Sequence, residues 1–178
     1  KCVETIEVGA FEECENLVNI TLPFVGRTRH NTRTKDALFG HIFGEAREGE
    51  KYETTEQFYY YSDDAYYEDT LPSEDSLSVE YKIPQSLRTV KITDETVIGY
   101  GAFSNVDQIT SIKFSDVLTT IDNYAFRNCI GLTEIVIPDS VTSIGYAVFE
   151  GCDNLAKVTV PFVGQVVNNT ATTDGEKA

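Results

Sequence analysis

The sequence contains no methionine and no tryptophan, and only two histidines and four cysteines among 178 residues. With no Cys-x-x-Cys and neither histidine near a cysteine, the spacing that zinc ligands need is missing. No apolar run approaches the 18 residues of a membrane span. Basic residues are scarce too: 14 Lys+Arg stand against 29 Asp+Glu, a net charge of −15. Nucleic acid is a poor partner for such a chain, because phosphate neutralisation needs clustered Lys and Arg. A chain without methionine that opens at Lys1 reads as a fragment or mature form of something longer, with any signal peptide gone. The length suits one ordinary domain or two small ones, and 41% apolar with 24% charged residues is a globular balance.

What is present is a repeat. Phe103, Phe126 and Phe149 are 23 residues apart, and so are Ile98, Ile121 and Ile144. The same offset links Ile109, Leu132 and Leu155, then Ile112, Ile135 and Val158, then Phe114, Ile137 and Val160. Ile6, Ala10, Phe11, Cys14, Leu17, Ile20 and Leu22 form an N-terminal copy, and Tyr81, Leu87, Val90 and Ile92 a shortened half-copy. Each unit carries an x-Ile-x-Ile stretch of period two, a short strand, and an Ala-Phe-x-x-Cys stretch too short for a full α-helix. A 20–29-residue unit with one strand is the leucine-rich-repeat pattern. One coil cannot bury its apolar side alone; stacking does so. The expected fold is therefore an α/β-type leucine-rich-repeat solenoid. Short parallel strands near 20–22, 90–92, 112–114, 135–137 and 158–160 stack in one sheet, with turns or single helical turns on the other wall. Phe11, Phe103, Phe126 and Phe149 should stack as a buried column. Cys14, Cys129 and Cys152 share one repeat position, occupied by Val106 in another coil, which predicts a buried ladder of free thiols. Cys2 is off the repeat.

The stretches Ile-Gly-Tyr-Gly-Ala-Phe (98–103), Ile-Pro-Asp-Ser-Val-Thr-Ser-Ile-Gly (137–145) and Phe-Glu-Gly-Cys-Asp-Asn-Leu (149–155) resemble the BspA-type leucine-rich repeats. Those occur in surface proteins of gut and oral bacteria and of some mucosal protists. The resemblance covers residues 1–26 and about 81–164. It implies an exported or surface-attached solenoid, with adhesion or host-protein binding in some members and no catalysis.

Residues 27–80 break the period. Phe11 and Phe103 are four periods apart, yet the intervening Phe positions hold Thr34, Gln57 and Glu80. An irregular insertion is therefore expected at 27–80, between coils at 1–26 and 81–167, with a polar, disordered tail at 168–178. Its segment Leu-Phe-Gly-His-Ile-Phe-Gly (38–44) also resembles an insertion that recurs in this family. Leu38, Phe39, Ile42 and Phe43 have the spacing of one apolar helical turn docked on the coils. The remainder is acidic and tyrosine-rich: residues 35–80 hold 13 Asp+Glu against 3 Lys+Arg. Residues 44–57, with little to anchor them, should be the most mobile internal stretch.

Two surfaces are candidates for a partner. By alternation, the outward strand residues are Asn19/Thr21, Thr89/Lys91, Ser111/Lys113, Glu134/Val136 and Lys157/Thr159. Lys91, Lys113, Glu134 and Lys157 are the charged members, although Lys and Thr are also ordinary solvent-face residues. In the insertion, Tyr59, Tyr60, Tyr61, Tyr66 and Tyr67 offer amphipathic contact area, or pack on the coils while the acids stay solvated. Asp63, Asp64, Glu68 and Asp69 come closest to a calcium site, but no Asp-x-Asp-x-Asp-Gly loop exists. No cofactor and no metal is assigned. His30 and His41 lack ligand-spaced partners and read as surface or docking residues. No Gly-x-Ser-x-Gly, phosphate loop or His-Glu-x-x-His is present. The reading is a non-catalytic extracellular or cell-surface interaction module for a protein or glycan ligand. A structural spacer, or a carbohydrate-associated module of a larger surface protein, is the alternative. Uncapped solenoid ends leave self-association open.

Overall fold

Five of the repeat's alternating segments form strands on one wall of a parallel-strand solenoid. A computed structural model describes residues 3–48, 53–60 and 76–162, and the backbone alone of Tyr60 and Ser76. Numbered in chain order, the wall strands are β1 (Asn19–Leu22), β4 (Thr89–Ile92), β6 (Ser111–Lys113), β8 (Glu134–Val136) and β10 (Lys157–Thr159). All ladders among them are parallel and follow sequence order: β1–β4–β6, then β8–β10. β6 and β8 lie side by side without a ladder between them, so the expected single sheet is two adjoining ones. Each strand starts one residue before expectation, and β6, β8 and β10 also end one residue before it. Ile137 still points inward, but Pro138 follows it and has no N–H to extend a ladder.

A second parallel ladder was not anticipated. The residues before each Phe turn, β-branched except for Ser143, form two-residue strands, β5 (Val97–Ile98), β7 (Thr120–Ile121) and β9 (Ser143–Ile144), paired in that order. Two residues are too few to show alternation in a sequence. Two positions per coil take left-handed backbone, again at the repeat offset: Gly9, Gly101, Tyr124 and Ala147, and Glu13, Asn105, Asn128 and Gly151. Gly and Asn tolerate that conformation best.

The core is a column of rings. Phe103, Phe126 and Phe149 stack as expected, at 5.4 and 5.7 Å between centroids. Phe11 does not reach Phe103. Phe43 lies 6.4 Å from Phe11, Phe39 lies 5.4 Å from Phe43, and Phe39 stacks on Phe103 at 4.8 Å. These two rings sit on a 3-10 helix, Phe39–Phe43, whose five residues are all buried. Its backbone bonds as a coil turn would: Gly9 and Phe11 donate to the His41 and Ile42 carbonyls at 3.0 and 2.8 Å, and Phe39 donates to Ala102 at 2.8 Å. Gly40 is required there, because a Cβ would sit 2.3 Å from the buried Tyr81 ring.

The strands β2 (Thr55–Tyr60) and β3 (Ser76–Tyr81) form an antiparallel pair beside this turn. Gln57, fully buried, fastens it. Its Nε2 donates to the carbonyls of Ala102 at 3.1 Å and Ser104 at 3.2 Å, while Oε1 accepts from the Gly40 N–H at 2.7 Å. Both ends of the stretch 44–57 are thereby anchored: Gly44, Thr55 and Gln57 are buried. Residues 49–52 lie outside the described residues, as do Cys2 and the tail at 168–178.

The thiol ladder is shorter than expected. Cys129 and Cys152 are buried and free, and each Sγ donates to a carbonyl of the preceding coil, Phe103 at 3.1 Å and Phe126 at 3.0 Å. Cys14 is exposed. The chain that follows its coil detours through the insertion and returns with Pro84 at the equivalent position. A cleft of about 250 Å³ opens there, bordered by Cys14, Glu13, Glu53 and Pro84.

The strand face and the hairpin as candidate interaction surfaces

The strand wall presents two rows to solvent. Register places Asn19, Thr89 and Ser111 in one row, with Thr21, Lys91 and Lys113 in the other. Beyond the break between β6 and β8, Glu134 faces Lys157 and Val136 faces Thr159. The alternate residues Ile20, Val90, Ile112 and Ile135 are buried, and this burial sets the face on which the lysines emerge.

The charges on this face are not equivalent. Lys157 Nζ lies 3.8 Å from Glu134 Oε2, and both side chains are largely solvated, so the pair contributes little to stability. Lys91 and Lys113 are register partners on neighbouring strands, and among the described residues neither has an ion-pair partner. Like charges directly opposite each other are destabilising. Where β6 and β8 part, a shallow groove of about 500 Å³ opens, bordered by Lys113, Asp116, Glu134, Val136 and Asp139. Val136 is an exposed aliphatic side chain in this groove. The wall thus carries a basic pair beside a groove with acidic and apolar edges.

The tyrosines are elsewhere. Tyr59 is half-buried on β2 and packs against the core. Tyr60 is placed by its backbone in β2, and Tyr61, Tyr66 and Tyr67 fall outside the described residues, as do Asp63, Asp64, Glu68 and Asp69. The structure therefore does not bring Tyr59 together with Lys91 and Lys113. Tyr81, buried, has its hydroxyl pushed well up by desolvation and donates it to the Lys35 carbonyl at 3.0 Å.

Two polar sites escaped the sequence. Glu95 is buried, and Oε1 accepts the N–H of Thr96 at 2.9 Å and, more distantly, those of Val97 and His30. Burial pushes its carboxyl up, and the N–H bonds oppose the shift. His30 Nδ1 lies 3.3 Å from this carboxylate and 2.9 Å from Thr96 Oγ1. Both groups address the same ring nitrogen, so carboxylate, imidazole and hydroxyl do not form a relay in which a base activates a nucleophile. The other is Gln57, whose amide serves the backbone. In neither case does spacing along the chain give a signal, because His30 is 65 residues from Glu95 and Ala102 is 45 from Gln57. Among the described residues no group of His, Cys, Asp and Glu could hold a metal ion, and no helix is long and apolar enough to cross a membrane. Burial pushes the Cys129 thiol up, which suits packing rather than reactivity.

Fold and surface define a leucine-rich-repeat solenoid, a repeat scaffold with open side-chain rows on its strand wall. The model for the BspA type leucine rich repeat region (6 copies) matches residues 1–32 and 80–172. The chain belongs to that family. No curated protein and no solved structure matches it.

Proposed function

We propose that this chain is a non-catalytic interaction module, exposed outside the cell or on its surface, that binds a protein partner through the strand face. The observation that carries this reading is the Lys91–Lys113 pair. A chain with 29 acidic side chains places two of its 14 basic ones as unpaired neighbours on its open wall, where they repel each other. Selection for stability alone would favour a carboxylate at one of the two positions. Complementary charge on a partner steers encounter and fixes register, and the groove with Val136 offers an apolar contact beside the pair. Membership of the family, whose repeats are those of surface proteins, supports the location.

The test is binding of the intact chain and of the double variant Lys91→Glu/Lys113→Glu to an array of immobilised extracellular proteins. The variant should lose at least tenfold in affinity for whatever the wild type binds, with an unchanged melting profile. Equal binding by both forms would remove the strand face from the site. A spacer would bind nothing in either form, and a carbohydrate-associated module would instead register on a glycan array.

A further inference from the structure

The protein's two histidines lie on one segment, residues 27–44, and that segment is packed between the first coil and the coil that begins at β5. Their surroundings differ sharply. His30 is 59% exposed, with the Glu95 carboxylate 3.3 Å from Nδ1. His41 is 4% exposed. Its Nε2 is buried without a hydrogen-bond partner. Its Nδ1 lies 3.5 Å from Asp36 Oδ1, but that carboxylate is shared with Arg27 Nη1 at 3.7 Å. Arg27 in turn reaches Glu7 of the first coil at 3.3 Å. Asp36, Arg27 and Glu7 are the charged groups that face the His41 ring, and the Ile6 carbonyl is its backbone neighbour.

His41 also stands at the seam itself. Its carbonyl accepts the Gly9 N–H at 3.0 Å, the next carbonyl accepts from Phe11 at 2.8 Å, and Ile6 donates to Arg27 at 2.8 Å. These bonds and the Phe11–Phe43 contact hold the first coil on the turn at Phe39–Phe43, while the β1–β4 ladder holds it on the shortened coil. A second proton on the ring would place a charge inside this seam, beside a carboxylate that Arg27 already shares.

We propose that this seam is an acid-sensitive latch: protonation of His41 releases the first coil, residues 3–22, from the turn at Phe39–Phe43, while the rest of the solenoid stays folded. The inference goes beyond the binding role and stands without it. Desolvation holds the His41 ring below the ordinary histidine value of about 6.5, outweighing Asp36, with Arg27 lowering it further. The released coil therefore binds more protons than the docked one. The stability of the seam is full above about pH 6.5 and falls as pH drops below it, by at most about tenfold in the opening constant per pH unit for one proton. The opposite seam responds differently. Burial raises the carboxyl of Glu95, so acid does not weaken its contribution there. Release would bare the edge of β4 and remove Thr21 from beside Lys91.

Native-state amide exchange of the full chain at pH 7.5 and 5.5, corrected for intrinsic rates, tests the latch. The opening constants at Gly9 and Phe11 should rise, by at most about tenfold. Those at Tyr100, bonded to Thr32 across the other seam, and at Phe126, bonded to Val148, should hold. No change at Gly9 and Phe11, or an equal rise at all four amides, overturns the proposal. H41Q should abolish the acid response, and a retained response overturns it. If H41Q does not fold, the His41 ring resonance of the native chain decides: a titration midpoint below 6.5 is required, and one at or above 6.5 overturns it.

Discussion

Gln57→Ala should be among the most damaging single substitutions outside the aromatic column, although it removes a polar side chain from a stretch that reads as solvent-facing. The three bonds it breaks are not equal. The Ala102 carbonyl keeps the Phe39 N–H at 2.8 Å. The Ser104 carbonyl and the Gly40 N–H have no other partner among the described residues. Two buried backbone groups are thus orphaned, at about 1–3 kcal/mol each. The expected loss is about 2–6 kcal/mol, at the lower end if water enters the space left. Glu56→Ala, one residue away and exposed, should stay within about 0.5 kcal/mol. Urea unfolding followed by tyrosine fluorescence and by circular dichroism gives both values, and amide exchange at Gly40 reports the local loss. A Gln57→Ala cost below about 1 kcal/mol, or a Gly40 amide that stays fully protected, would show that Gln57 does not hold the hairpin to the coils.

Phe126→Ala empties a fully buried site between Phe103 and Phe149 and should cost about 3–5 kcal/mol by denaturant unfolding; a cost near 1 would mean the column does not support the fold. Native thiol labelling should modify Cys14 quickly and Cys129 and Cys152 only on unfolding, and fast labelling of Cys129 would contradict its burial. Lys91→Glu should raise stability by about 0.2–1 kcal/mol, because it turns a like-charge pair with Lys113 into an attractive one. A loss of stability would show that the two lysines do not repel. Lys157→Ala should change stability by less than about 1 kcal/mol, since its pair with Glu134 is solvated.

The wall strands were legible because two signals coincide at them: alternation within a strand and identity at 23 residues between strands. Ile112 and Ile135 satisfy both, and both are buried. The outward placing of Lys91 and Lys113 follows from the same alternation. Whether each lysine has a neighbour to neutralise it depends on the register across strands, which pairs Lys157 with Glu134 and leaves Lys91 beside Lys113. Cys14 shows the limit of periodicity. Its repeat position is apolar in other coils, where the thiols of Cys129 and Cys152 sit on a carbonyl of the preceding coil, a contact that Cys14, in the first described coil, does not have. The last described coil makes the same point: Val158 and Val160 are 43% and 39% exposed, while their equivalents Ile135 and Ile137 are 1% and 2%.

The path the chain takes after the first coil is the step that sequence periodicity cannot reach. The shortened coil at 81–92 brings a strand but no Ala-Phe turn, so stacking it directly would leave a gap in the ring column between Phe11 and Phe103. Phe39 and Phe43 fill that gap from a segment with no 23-residue signal, and they do so with the backbone bonds a coil turn would make. The bridge between Glu45 and Tyr81, with Ala46 donating to Glu80 and Lys82 to Gly44, then closes the chain back onto the shortened coil. One layer of the solenoid is therefore assembled from two stretches far apart in sequence, 36–44 and 81–92, with the hairpin as the excursion between them. A core layer built this way places its only buried histidine, His41, where regular coils have aliphatic and aromatic side chains. The layer that repairs the column thus carries the one buried imidazole of the chain, and acid acts on this layer before it acts on the regular coils.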